Sequence, residues 1–201
     1  MKIYFKFLTA AAMAVLLAMP AMAWDGDNHS AVNKSIRIDE NSTVGDVDSV
    51  NGSIRIGANS AVRSVESVNG SVNLGNNVSV EKGVDAVNGA ITIESGSEVG
   101  GNVGTINGGI RLKNTGVAGD VETVNGQIRI LEGSEVAGNV MVRRSKGWNI
   151  NKRRKPVHVE IGKDVVVHGD LIFEQAVELT IHETAKVGEI IGDEVELIGS
   201  S

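Results

Sequence analysis

Ser49–Gly57 reads SVNGSIRIG, and Ser67–Gly75 repeats it as SVNGSVNLG. Variants follow as AVNGAITIE from Ala86, TINGGIRLK from Thr105 and TVNGQIRIL from Thr123. Aligned on its asparagine, the phrase falls at Asn33, Asn51, Asn69, Asn88, Asn107 and Asn125, with spacings of 18, 18, 19, 19 and 18 residues. A fixed period of this size marks a solenoid, in which each repeat buries its apolar face only against its neighbours.

A finer period lies inside each unit. Aliphatic residues recur every sixth position through Val50, Ile56, Val62, Val68, Leu74 and Val80, and the series restarts after one-residue slips at Val87 and Ile106. Three such steps per turn describe a triangular coil of three short strands, each expected to point its aliphatic residue inward near a corner. A second inward position is expected at Ile54, Ser60, Val72, Val78, Ile91, Ser97, Val103 and Ile128. In SIRI the alternation has the two-residue period of a strand, with Ile54 and Ile56 inside and Arg55 outside. The same pattern excludes helix. The expected fold is therefore all-β, a triangular β-solenoid (β-helix) of about 18–19 residues per coil.

The repeated asparagines have a physical role in such a coil. Asn-Gly is expected to supply a sharp corner through positive φ, and asparagines stacked at one corner can bond amide to amide along the axis. A ligand or metal is the alternative use of such a column. The glycine-rich calcium nonapeptide is absent, however, and a neutral amide is a poor cation ligand. No cofactor is expected.

Outside the repeats, Lys2 and Lys6 precede an apolar run, Phe7–Met19, closed by Pro20 and AMA. This reads as a secretory signal peptide, residues 1–23, cleaved after Ala23. The run is short for a bilayer span, so no transmembrane segment is expected in the mature chain. The localisation implied is periplasmic or secreted. The chain has no cysteine, so export brings neither disulfides nor a lipid-bearing thiol. After cleavage the aromatic residues are only Trp24, Trp148 and Phe173, which leaves valine, isoleucine and glycine to build the interior.

Repeats are expected over 24–142, a basic inserted loop over 143–156, and strands continuing the solenoid over 157–201. The insertion contains Arg143, Arg144, Lys146, Lys152, Arg153, Arg154 and Lys155 with no acid, and includes Trp148. The rest of the mature chain has 10 basic and 25 acidic residues, a formal charge of −15. The insertion reads either as a solvated loop or as a docking element for a polyanion, with Trp148 as an amphipathic anchor. For an exported protein the partner would be an anionic envelope polymer or lipid head groups, and no nucleic acid is expected.

Two outward columns also follow from the period. The residue between the paired aliphatics after each Asn-Gly corner is Arg37, Arg55, Asn73, Thr92, Arg111 and Arg129 in successive coils. These form a possible anion-facing surface, with rungs about 4.8 Å apart. Asp48, Glu66, Asp85 and Glu122 form a second column one strand earlier. Unpaired strand edges at the ends of the stack can recruit another chain, so self-association is expected unless they are covered. Trp24–Val32 is a candidate cap.

Turns of the form Val-x-Gly-Asp/Asn-aliphatic occur as VGGNV from Val99, VAGDV from Val117, VAGNV from Val136 and VVHGDL from Val166. The chain resembles in these turns the bactofilins, bacterial polymer-forming cytoskeletal proteins, and adhesin-like repeat proteins. The resemblance implies a non-enzymatic scaffold that assembles end to end, or, as the alternative, an adhesin-like binding module. Bactofilins are generally cytoplasmic or membrane-associated, and the signal peptide departs from that pattern. A hexapeptide-repeat acyltransferase shares the six-residue step and uses a catalytic histidine. His158, His168 and His182 read instead as outward strand residues, and His29 belongs to the polar leader.

Overall fold

The computed structural model describes residues 26–144 and 155–199. Over these residues the chain is all-β, with every strand pairing parallel to its neighbours in a β-solenoid. Three strand positions recur per turn. The first face is a nine-stranded sheet that begins with Ile36–Ile38, Ile54–Ile56 and Val72–Leu74 and ends with Val195–Leu197. The second and third faces belong to one 14-stranded sheet, because the nine-residue strands Thr43–Asn51 and Ala61–Asn69 run continuously around the corner between them. Higher in the stack each splits into a two-residue and a three-residue strand, as at Gly116–Val117 and Val121–Thr123.

Like residues stack on like. Ile54 pairs with Val72, Val72 with Ile91, Ile91 with Ile110 and Ile110 with Ile128, and all five are buried. Ser60 and Ser97 are buried too, and both hydroxyls donate to main-chain carbonyls at a corner. Where small polar residues enter this interior they therefore bring their own hydrogen bonds.

The third face corrects the six-residue reading. Val50, Val68, Val87 and Ile106 point outward, at 41, 41, 36 and 45% exposure. On the third-face part of Thr43–Asn51 the inward positions are Val47 and Ser49, so the strand's two-residue alternation turns Val50 outside. The true inward column, Val47, Val65, Val84, Val103, Val121 and Val140, includes several residues that the six-residue count passes over.

The corners need a second correction. Positive φ occurs at Asn41, Asn59, Asn77, Gly96 and Asn114, between the first and second faces, and not at the Asn-Gly corner. Glycine is needed there for close approach instead. A Cβ on Gly89 would stand 2.1 Å from the carbonyl oxygen of Gly70, and one on Gly108 would stand 2.1 Å from that of Gly89.

The insertion leaves the register intact. Ile128 pairs with Val159, a step of 31 residues where Ile110 to Ile128 takes 18. Above it the same columns continue through Leu171, Phe173, Val177 and Leu179, all buried. At the first rung His29 takes the inward position below Val47, so part of the expected leader cap is itself a strand, His29–Ala31. Among the described residues no helix is long and apolar enough to cross a membrane.

Candidate functional site

The sites available on this rod are its outward columns and corners. At the Asn-Gly corner each asparagine donates from Nδ2 to Oδ1 of the asparagine one rung below. The distances are 2.9 Å for Asn51 to Asn33, 2.9 Å for Asn69 to Asn51, 2.9 Å for Asn88 to Asn69, 2.8 Å for Asn107 to Asn88 and 2.9 Å for Asn125 to Asn107. Asn51, Asn69, Asn88 and Asn107 are thereby both donor and acceptor along the axis, a structural use of the column. Replacing Asn88 by Leu removes two exposed neutral bonds with no φ strain, and should cost about 1–2 kcal/mol. Denaturant unfolding reads this directly, and an unchanged midpoint would show that the ladder contributes nothing.

The corner between the second and third faces explains the Val-x-Gly-Asp/Asn turns. Asn102 Oδ1 accepts from the Asp120 N–H at 2.9 Å, Asp120 Oδ1 from Asn139 at 2.7 Å, and Asn139 Oδ1 from Asp170 at 2.9 Å. A Cβ on Gly119 would meet Asn102 Oδ1 at 2.2 Å, so the glycine makes room for the side chain that satisfies the next amide.

Lower on the rod, Asp46 accepts from Arg63 Nε at 2.7 Å and from Ser64 Oγ at 2.6 Å, and pairs with the second Arg63 nitrogen. Arg63 first and Ser64 next hold the Asp46 carboxyl well below the usual carboxylate range. A depressed folded-state pKa gives stability that is full above the ordinary aspartate value and lost as pH falls. Arg63→Met should therefore destabilise the protein at neutral pH, and the deficit should shrink as acid titrates Asp46. Thermal midpoints from pH 7 downward check this, and a deficit constant with pH would contradict it.

Arg37, Arg55, Asn73, Thr92, Arg111 and Arg129 stand in one register on the first face. The column is not uniform. Arg111 approaches Glu94 at 3.8 Å, and Arg129 Nε donates to Glu160 at 2.6 Å. Among the described residues Arg37 and Arg55 make no ion pair, and they line a groove with Asn73, Glu40 and Glu94. The partner of Arg129 is hidden from the repeat, because Glu160 reaches it only across the insertion.

Of the basic insertion, Arg143, Arg144 and Lys155 are described, whereas Lys146, Trp148, Lys152, Arg153 and Arg154 lie outside the described residues, as does the leader through Ala23. Arg143 Nε donates to Glu122 at 3.0 Å, and Arg144 donates from N to Glu174 Oε2 at 3.0 Å and from Nε to Glu174 O at 2.9 Å. These two arginines are thus engaged with the solenoid. The histidines are spread apart: His168 meets Glu135 at 2.6 Å, His182 meets Thr184 at 3.0 Å, and His158 stands beside Glu178 in the strand register. Among the described residues no group of three or more His, Asp or Glu is placed to hold a metal ion. Comparison with protein-family models, with curated proteins and with solved structures gives no match for the chain.

Proposed function

We propose that the protein is a non-enzymatic, exported structural element of the bacterial cell envelope, a β-solenoid rod that associates end to end. The observation that carries this reading is continuity. Core columns and polar corner ladders follow one another from rung to rung, and the parallel register resumes unchanged above a 31-residue step. Each rung is stabilised by the rungs on either side, so the stack extends by repetition, which suits a spacer or scaffold. The bactofilin-like turns and the leader, Met1–Ala23, support assembly and export respectively.

Negative-stain imaging of the chain purified from an exported fraction, with its N-terminus sequenced, tests the reading. Filaments beginning at Trp24 are expected. Monodisperse short rods would contradict assembly, and an intact leader on protein retained in the cytoplasm would contradict the envelope role. A second reading, binding of an anionic polymer or lipid surface, is favoured by the open Arg37–Arg55 pair. Sedimentation with anionic liposomes at low salt, lost in the Arg37→Ser/Arg55→Ser double variant, would support it.

A further inference from the structure

On the third face two outward columns run side by side. One carries Asp48, Glu66, Asp85 and Glu122, with Gly104 between the last two. The other, two residues further along each strand, carries Val50, Val68, Val87, Ile106 and Val124. Val50, Val68, Val87 and Ile106 are exposed and Val124 is half-buried. Such a row is costly, at about 25 cal/mol for each Å² of apolar surface left in water, where an ordinary solvated strand face is polar. The acid column is costly as well. Crowding around its carboxyl first, and the charges of Glu66 and Glu122 next, push the Asp85 pKa up.

Both columns end at the same rung. Met141 takes the acid position above Glu122, and Arg143 takes the aliphatic position. Its N–H donates to Thr123 O as the Val124 N–H donates to Thr105 O. The next rung closes over this point, where Gln175 Nε2 donates to the carbonyls of Val124 at 2.6 Å and Arg143 at 3.1 Å. From here the chain departs into SKGWNINKRR, residues 145–154, which has four cations, no acid, a tryptophan and an isoleucine. The last described side chain before it on this column, Arg143, already bonds to Glu122.

We propose that this face is the docking site for the chain's own basic stretch, residues 145–154. Its cations complement Asp85 and Glu66, and Trp148 and Ile150 complement the column of Val87, Ile106 and Val124. Length agrees with the assignment. Ten residues that leave and rejoin at one corner reach about 17 Å at roughly 3.4 Å per residue, enough at about 4.8 Å per rung for the three rungs of Val124, Ile106 and Val87. A consequence follows for any polyanion, which must compete with this face for the same cations. The inference is independent of the envelope role.

The test uses the mature chain with Trp24→Phe, so that Trp148 is the only tryptophan. Its emission should be blue-shifted and protected from acrylamide relative to a peptide of residues 143–155, at every protein concentration. Val87→Ser with Ile106→Ser, and separately Glu66→Lys with Asp85→Lys, should each abolish the shift while the β-rich circular dichroism is kept. High salt should weaken the shift in the parent. Emission equal to the peptide's, or insensitive to both variants, overturns the proposal. A shift that appears only as concentration rises places the stretch on a second copy and overturns it equally.

Discussion

Gly108→Val should destabilise the protein by about 3–5 kcal/mol. Even a Cβ at this site would stand 2.1 Å from Gly89 O and 2.5 Å from Gly89 C, atoms of the rung below that cannot rotate away. Relief requires the two rungs to part at the corner. That movement strains the Asn107 to Asn88 amide bond at 2.8 Å and the hydroxyl bond from Thr105 to Gly89 O at 3.1 Å. Gly116→Ala is the control. There the nearest atom is the Glu98 side chain at 3.8 Å, and the change should stay within about 0.5 kcal/mol. Denaturant midpoints for both variants decide the matter. Equal midpoints would show that the Asn-Gly glycines are not held by rung contact.

The second large effect separates the true core from the aliphatic column that resembles it. Leu112→Ala should cost about 2–5 kcal/mol, because Leu112 is fully buried and pairs with Ile93 and Ile130 in neighbouring rungs. Ile106→Ala should cost much less, within about 0.5 kcal/mol if nothing but solvent covers it. Ile106 is 45% exposed, although it belongs to the same six-residue series. A loss of similar size at both positions would place Ile106 inside. A modest loss at Ile106 that disappears when residues 145–154 are replaced by a short glycine-serine linker would reflect cover by that stretch.

These contrasts also show how far the sequence can be read. The period gives the coil, because a solenoid repeats its burial pattern at fixed spacing, and the alternation in SIRI correctly separates Ile54 and Ile56 from Arg55. The amide ladder is legible for the same reason, since residues at one phase of a strict period must stack. The aliphatic column at Val50 misleads because a six-residue count has no memory of strand alternation. Ser49 is small and polar, and nothing in its type announces that it is buried while Val50 is not. The positive-φ corner is hidden in a similar way. Asn41, Asn59, Asn77 and Gly96 share that backbone but sit in dissimilar words, DENS, GANS, GNNV and ESGS. Two ion pairs were beyond reach, since Arg129 with Glu160 and Arg143 with Glu174 span the insertion, and only the resumed register reveals them.

The central claim is that residues far apart in the chain stand directly above one another, one rung per repeat. Because the chain has no cysteine, spin labels can be placed at Arg37 and Arg129 as the only thiols. Five rung steps separate them along one column, through Arg55, Asn73, Thr92 and Arg111. A pulsed dipolar measurement should therefore give a narrow distribution centred at about 24 Å, at roughly 4.8 Å per rung. A broad distribution, or a centre far from this value, would contradict the stacked parallel register on which the account rests.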